Sequence, residues 1–211
     1  ERRSAVAKVA RAYGLTIVED DVYGMLMEDG PPPLAAYAPE RSIYITSMSK
    51  CLSPAFRIGY AAVPEDCIGR FTASARALNW MAPPVEAEIV SRWIRSSTAD
   101  QLARRIREES RARHRIAADV LKGFSFQAMP TGLHIWLSLP EPWRAQDVVA
   151  SARERGVSMT STELFVPGRA AAPHALRVTV TATRDREQLR RGLGLLARLL
   201  EKAPEPCLAV A

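Results

Sequence analysis

The most informative segment of this chain reads Ser47-Met48-Ser49-Lys50-Cys51-Leu52-Ser53-Pro54-Ala55-Phe56-Arg57-Ile58-Gly59-Tyr60. It continues from residues 42–46, an apolar run that is typical of a strand buried on both faces. Lys50 is one of four lysines in a chain whose basic charge is otherwise supplied by arginine. Its position after a buried strand and a pair of serines predicts a partly desolvated amine, as a nucleophilic lysine requires. The alternative is a lysine that merely extends from a strand end into water.

An acidic segment follows the preceding predicted strand. Residues 15–18 form a short apolar run that is also typical of a strand buried on both faces, as is the run at 57–63. Glu19-Asp20-Asp21-Val22-Tyr23 comes directly after residue 18. In open α/β sheets, ligands collect at the carboxyl ends of the strands. We therefore expect the acids and Lys50 at the same edge of one sheet. Taken singly, either aspartate could be a turn residue and Tyr23 could pack in the core, so this interpretation depends on their joint spacing.

The order of the predicted elements favours an α/β sheet followed by a smaller α+β unit. Helices are predicted at residues 4–13, 65–80, 85–95, 98–121, 145–155 and 185–200, and strands at 15–18, 42–46, 57–63, 124–126, 133–137 and 175–180. The helix at 98–121 is rich in arginine and is expected to bridge two domains, at residues 1–97 and 98–211.

Composition and charge exclude several classes of protein. The net charge of +6 does not indicate a nucleic-acid partner, because the arginines alternate with glutamates along predicted helices and no aromatic residues lie among them. No apolar run is long enough to span a membrane, and no signal peptide is recognised. The three cysteines, Cys51, Cys67 and Cys207, lack metal-ligand spacing, so we expect no metal and a reduced, cytoplasmic setting. The chain begins without Met inside a predicted helix, which suggests a fragment of a longer protein.

The segment at 47–60, preceded by Ile17-Val18-Glu19-Asp20-Asp21-Val22-Tyr23, resembles the cofactor-lysine segment of class I/II aminotransferases, which depend on pyridoxal 5'-phosphate (PLP). The resemblance implies a fold-type-I PLP-transferase. We expect a partial, mostly parallel sheet of the large domain, followed by a smaller α+β C-terminal domain. It also implies amino transfer between an amino acid and a 2-oxo acid.

The resemblance assigns a role to each residue of the segment. Lys50 would form a Schiff base with the PLP aldehyde and later move a proton between substrate and cofactor. Asp20 would keep the pyridine nitrogen protonated, and Tyr23 would donate a hydrogen bond to the 3-oxygen of the ring. The implied phosphate ligands are Ser47, Ser49 and Arg57.

Three residues farther along the chain are of types found in functional sites. Arg177, in a predicted apolar strand, matches the position at which the family binds the substrate α-carboxylate, and a buried arginine needs an anionic partner. The alternative is an edge-strand arginine that points to water. His134 is expected to pack within a strand, and His114 is expected to lie on the solvated face of the arginine-rich helix.

Arg92-Trp93-Ile94, Gly132-Leu133-His134-Ile135-Trp136-Leu137 and Leu176-Arg177-Val178 look closest to MocR-type regulators of the GntR family. These proteins fuse an N-terminal winged-helix DNA-binding domain to an aminotransferase-like domain. DNA binding would therefore come only from a domain that this chain does not contain. Stand-alone aminotransferases of the 2-aminoadipate or kynurenine type and an inactive truncated fragment remain alternatives. A homodimer is expected for the complete protein.

The chain also departs from the family pattern. Cys51 stands where threonine is common, and Glu163-Leu164-Phe165 replaces a segment resembling Ser-Ala-Phe near the substrate pocket, so the preferred substrate is open. The glycine-rich segment at the PLP phosphate, the aromatic residue that stacks on the ring and the asparagine near the 3-oxygen all lie upstream of Glu1 in relatives. We therefore expect weak or absent turnover from this chain alone.

Overall fold

The computed structural model describes residues 1–168 and 170–202 and contains two compact units, which meet in sequence between Ile106 and Arg107. This division falls inside the long helix that was expected to act as a bridge. The domain limits at residues 97 and 98 remain a prediction. Cys207 and the C-terminal end of the predicted second domain lie outside the described residues.

The predicted helices and strands are present, with ends shifted by a few residues. The helices are α1 (Arg2–Ala12), α2 (Met48–Cys51), α3 (Ile68–Asn79), α4 (Pro84–Arg95), α5 (Thr98–Val120), α6 (Ala145–Glu154) and α7 (Arg186–Leu200). The strands are β1 (Ile17–Asp20), β2 (Ser42–Ser47), β3 (Gly59–Ala62), β4 (Phe126–Ala128), β5 (His134–Ser138), β6 (Thr160–Ser161) and β7 (Ala175–Thr179). Single 3-10 turns lie at Gly24–Leu26, Leu34–Ala36, Pro39–Arg41, Pro54–Phe56, Glu65–Cys67 and Thr162–Phe165.

The first unit contains a three-stranded sheet in the order β1-β2-β3. β1 runs parallel to β2, with Asp20 opposite Ile45, whereas β3 runs antiparallel to β2, with Ser47 opposite Gly59. The link at residues 48–58 is too short for the crossover that a parallel neighbour requires, so the chain must reverse direction. The expected parallel arrangement holds for β1 and β2, and the sheet is mixed.

The prediction that the first and third strands are buried on both faces is wrong for the described residues. Val18 in β1 keeps 64% of its surface exposed, and all four residues of β3 are exposed. Both strands are edges of this small sheet, and the described part of the unit leaves much of their surface uncovered. The apolar sequences of β1 and β3 therefore did not predict how much of each strand is exposed.

The second unit is α+β, as expected. Its antiparallel sheet has the order β4-β5-β7-β6. The core is formed by apolar side chains of the sheet and of the helices α5, α6 and α7, among them Ala117, Leu121, Ile135, Leu137, Val148, Leu176, Val180, Leu193 and Leu196. Asp185 caps the last helix, because its carboxylate accepts the Gln188 backbone N–H at 2.7 Å.

The expectation that His114 is solvated is wrong. His114 is 9% exposed, and its Nε2 lies 2.8 Å from the Gly132 carbonyl oxygen. Its neighbour Arg113 is also buried and donates to the carbonyl oxygens of Val180 and Thr183 at 3.1 and 3.0 Å. Backbone carbonyls therefore satisfy polar groups on a helix face that the sequence suggested was turned to water.

Candidate functional site

The three acids at the end of β1 have different surroundings. Glu19 contacts the guanidinium of Arg3 and accepts the Leu34 backbone N–H at 2.6 Å. Asp21 accepts the hydroxyl of Tyr44 at 2.9 Å. Two of the three carboxylates therefore hold the first unit together.

Asp20 is the exception. It is exposed and ends β1, where side chains alternate between the faces of the sheet, so it faces away from Glu19 and Asp21. Its Oδ1 accepts the Val22 backbone N–H at 3.2 Å, the one hydrogen bond to this carboxylate among the described residues. This leaves the other oxygen of Asp20 available to a ligand.

Hydrogen bonds beyond the strand ladder join the end of β1 to β2. The Asp21 backbone N–H donates to the Ile45 carbonyl at 2.8 Å, and the Thr46 hydroxyl donates to the Asp21 carbonyl at 3.2 Å. Burial, and the hydrogen bond to the Asp21 carboxylate, raise the pKa of Tyr44 above its usual 10.0. The carboxyl ends of two parallel strands are thus held side by side, as the sequence predicted.

Lys50 lies in the single helical turn α2, immediately after β2. Ser47 begins this turn, and its hydroxyl accepts the Ser49 backbone N–H at 3.3 Å. The Lys50 Nζ lies 5.7 Å from the centroid of the Tyr23 ring, within the range of a cation–π contact. Lys50 and Tyr23, to which the resemblance assigns roles at one site, therefore lie next to each other in the structure.

A buried sulfur contact anchors the other side of α2. Cys51 is fully buried, and its Sγ lies 3.5 Å from Met25 Sδ and 3.6 Å from the Ser47 carbonyl oxygen. The substitution of Cys51 for the usual threonine therefore places a small soft side chain against Met25. Its role is to hold the turn that carries Lys50.

The backbone that follows Arg57 is hydrogen-bonded to the start of α2. It ends the 3-10 turn at Pro54–Phe56 with a left-handed φ of 53°. The next residue, Ile58, accepts the Met48 backbone N–H at 3.1 Å, and Ser47 pairs with Gly59 across the ladder. Arg57 is exposed, and its backbone lies next to the turn that contains Ser47 and Ser49.

Arg177 belongs to the second unit, where it lies in β7 opposite Trp136 on one side and Thr160 on the other. Its Cζ lies 4.8 Å from the centroid of the Phe165 ring. Among the described residues, its buried Nε has no hydrogen-bond partner. A shallow cavity of about 460 Å³ lies beside it, lined by Gln127, Ala128, Met129, His134, Ile135, Trp136 and Arg177. The alternative of an edge-strand arginine does not fit, because β7 lies between β5 and β6.

His134 lies on the same sheet face and is half-buried. Its Nδ1 is 3.0 Å from the Thr179 hydroxyl oxygen on the neighbouring strand. This cross-strand bond agrees with the expected packed strand histidine.

Sequence reasoning missed Tyr44, Trp136 and Phe165 as neighbours of the candidate residues. Tyr44 and Trp136 are strand residues whose partners follow from register, which a single sequence does not reveal. Phe165 carried a signal, because the segment at 163–165 departs from the family pattern. That signal did not point to Arg177.

The model of the family described as aminotransferase class I and II matches residues 3–196. The chain is 33% identical over 201 residues to an uncharacterized HTH-type transcriptional regulator, YdeF, of Bacillus subtilis, with 95% of this chain and 44% of the relative covered. It is 27% identical over 214 residues to the 2-aminoadipate transaminase of Thermus thermophilus, with 94% and 52% covered. The chain thus spans about half the length of the curated relatives that it matches.

Solved structures agree on the fold. The kynurenine aminotransferase of Pyrococcus horikoshii superposes with a TM-score of 0.83 at 24% identity, over 96% of this chain and 52% of that one. Among the described residues, no helix combines the length and the apolar character needed to cross a membrane.

Proposed function

Because this chain belongs to the aminotransferase class I and II family, we propose that it is the C-terminal part of a PLP-dependent aminotransferase domain and that Lys50 is its cofactor lysine. The reaction class is amino transfer between an amino acid and a 2-oxo acid. The observation that carries the proposal is the Lys50 Nζ at 5.7 Å from the Tyr23 ring, beside the strand end that bears Asp20.

The residues of the first unit fit PLP. The cofactor, when bound, supplies an electrophilic aldehyde and a protonated pyridine ring that accepts electrons. Lys50 offers an amine to the aldehyde carbon. Asp20 would place its negative carboxylate beside the ring nitrogen and so favour the protonated ring. Asp20 is the acid proposed for this role because its neighbours Glu19 and Asp21 are engaged in structural contacts. Tyr23, next to Lys50, offers a hydroxyl to the 3-oxygen.

Lys50 is also the group that would move protons during the reaction. Its free amine would accept the proton from the substrate Cα and deliver it to the aldehyde-derived carbon of the cofactor. The one-turn helix α2 restrains the lysine backbone, since Ser47 caps its start and the buried Cys51 anchors its end.

The phosphate of the cofactor would be bound by Ser47, Ser49 and Arg57. The Ser47 hydroxyl accepts a local N–H and keeps its own proton available to donate. Arg57 adds a charged planar fork suited to phosphate oxygens. Its backbone is joined to the serine turn by the bond from Met48 to Ile58, which supports this grouping.

Arg177 would bind the substrate α-carboxylate. The support comes from its surroundings, which are aromatic and leave its buried Nε without a described partner. A half-buried guanidinium is stabilised by an anion, and the carboxylate of an amino acid or 2-oxo acid matches its fork.

For the whole protein we favour a MocR-type regulator of the GntR family, in which a site of this kind senses an amine or PLP itself. The similarity to an HTH-type regulator at 33% identity supports this choice. DNA binding would then belong to a domain upstream of this chain. A stand-alone 2-aminoadipate-type aminotransferase is the second candidate, supported by the 27% identity to that enzyme. We place either protein in the cytoplasm.

We further propose that the complete protein is a homodimer. The segment around the end of α3 exposes a run of large apolar side chains: Leu78 at 81%, Trp80 at 76%, Met81 at 60% and Val85 at 66%. Apolar patches of this kind mark interaction surfaces. Sedimentation of the full-length protein should give a dimer, and Trp80→Glu should shift it toward monomer.

The cofactor proposal is tested by reduction of the full-length protein with borohydride after incubation with PLP. Peptide mass spectrometry should find the reduced cofactor on Lys50 and not on Lys8, the other lysine of the first unit. Lys8→Arg is the matched control and should keep the label, whereas Lys50→Arg should lose it. A label elsewhere, or none, would refute the proposal.

A separate experiment distinguishes the regulator from the enzyme. Turnover of an amino donor with 2-oxoglutarate is measured beside binding of the upstream DNA region, with and without PLP. A regulator should show PLP-dependent DNA affinity, whereas a stand-alone enzyme should show turnover and no DNA binding.

A further inference from the structure

We propose that Phe165 is a positioning residue for Arg177. Its ring lies against the guanidinium, fixes the plane of that group and occupies the place that a neutralising carboxylate of the protein would otherwise take. The inference rests on the proposed function in one respect, namely that Arg177 binds the carboxylate of the substrate.

The geometry is that of a stack on one face of the second sheet. The Arg177 Cζ is 4.8 Å from the centroid of the Phe165 ring, and this ring is 6.4 Å from the Trp136 ring at an angle of 55°. Trp136 in turn lies directly opposite Arg177 in the β5–β7 ladder. The guanidinium therefore lies over one ring of an aromatic pair.

The contrast with Arg113 in the same unit shows what this arrangement does. Arg113 is 6% exposed and pairs with the Glu109 carboxylate at 2.7 Å, besides donating to two carbonyl oxygens. No ion pair to Arg177 is found among the described residues, and its buried Nε has no described partner. An aromatic face attracts a cation without neutralising it. Arg113 is thus a structural cation, whereas Arg177 keeps its charge for an external anion.

The aromatic contact also restricts how that anion approaches. The Phe165 ring lies beside the guanidinium and Nε is buried, which leaves the two terminal nitrogens as the donors for an external anion. A planar carboxylate can pair with both of them in the guanidinium plane. The site should therefore favour carboxylates, with 2-oxo acids and amino acids as the ligand class.

The test measures pyruvate binding to the full-length protein by isothermal titration calorimetry. The variants are Phe165→Ala, Phe165→Leu and Phe165→Tyr. Removal of the aromatic ring should weaken pyruvate binding about threefold to tenfold. Phe165→Tyr should restore the affinity to within about twofold, because tyrosine keeps the aromatic face. In the full-length protein, the leucine variant should raise KM for the 2-oxo acid while kcat changes little.

Each outcome decides something. Unchanged affinity in Phe165→Leu, with binding still lost in Arg177→Gln, would overturn the positioning role and leave the carboxylate site intact. Failure of pyruvate to bind, or equal binding by Arg177→Gln, would instead refute the carboxylate site and this inference with it. If Phe165→Ala does not fold, the leucine variant decides, because it keeps most of the apolar volume.

Discussion

The Tyr44 hydroxyl donates a hydrogen bond of 2.9 Å to Oδ2 of Asp21, so the second of two adjacent aspartates is bound to the neighbouring strand. Asp20 points to the other face, where its carboxylate has a single local bond among the described residues. One cross-strand contact therefore separates two residues that are chemically alike. It gives Asp21 a structural role and leaves Asp20 as the aspartate that we propose for the cofactor.

Replacing Asp20 or Asp21 by asparagine should affect different properties of the protein, namely turnover for Asp20 and stability for Asp21. We expect Asp20→Asn in the full-length protein to lower amino transfer on the order of 100-fold with little loss of stability, because the ring nitrogen loses its carboxylate. Asp21→Asn should cost about 1 kcal/mol of unfolding free energy and affect turnover much less. Turnover and urea denaturation measured on both variants check this. The reverse pattern would assign the cofactor role to Asp21.

Tyr44→Phe should lower the free energy of unfolding by about 1 kcal/mol at neutral pH, since the Asp21 carboxylate loses a donor. The pKa of Tyr44 is raised in the folded state, so the folded chain holds its proton above pH 10.0 while the unfolded chain releases it. The contribution of Tyr44 is therefore fully present below pH 10.0 and declines as the pH rises further. Urea denaturation of both chains from pH 7 to 11 should show the gap between them closing, and a constant gap would contradict this.

Arg57 adopts a left-handed backbone that costs an arginine about 1 kcal/mol, and glycine adopts it freely. We therefore expect Arg57→Gly to be at least as stable as the parent in urea but to bind PLP about 10-fold to 100-fold more weakly, because a charged phosphate contact is lost. Arg57→Lys should bind PLP with an affinity between those of the parent protein and Arg57→Gly. Arg76→Gln on α3 removes a cation elsewhere in the first unit and should leave PLP affinity unchanged. An equal loss of PLP affinity in Arg57→Gly and Arg76→Gln would indicate a general effect of positive charge and not a phosphate contact of Arg57.

Glu109 links the long helix to the start of α7. The hydrogen bond from Arg186 and the bond from Arg113 lower the pKa of Glu109 below its usual 4.5, so its stabilising contribution is present above pH 4.5 and is lost as the pH falls through the lowered value. At pH 7, Glu109→Gln should cost about 1 kcal/mol, because the carboxylate is partly exposed. Denaturation measured from pH 7 down to pH 2 should show the stability difference between the two proteins shrinking as the pH falls below 4.5. Glu187→Gln, on the first turn of α7, serves as the control.

Much of the fold could be predicted because it depends on local pattern. The 3.6-residue spacing of Leu102, Ile106, Ile116 and Val120 predicted α5, and the strand run at 42–46 predicted β2. Burial was harder. His114 and Val18 were assigned to the wrong environments, because burial depends on what packs against a segment and not on the segment itself.

The sequence by itself determined that Asp20, Tyr23 and Lys50 come at the ends of two successive strands, since residue order and strand propensity are properties of the chain. Only the tertiary structure decided which aspartate is engaged by Tyr44, in which register β1 and β3 pair with β2, and that Arg177 lies over the Phe165 ring. The physical reason is that register and cross-strand contact arise between segments distant in sequence. A shift of one residue in pairing moves every side chain of a strand to the opposite face.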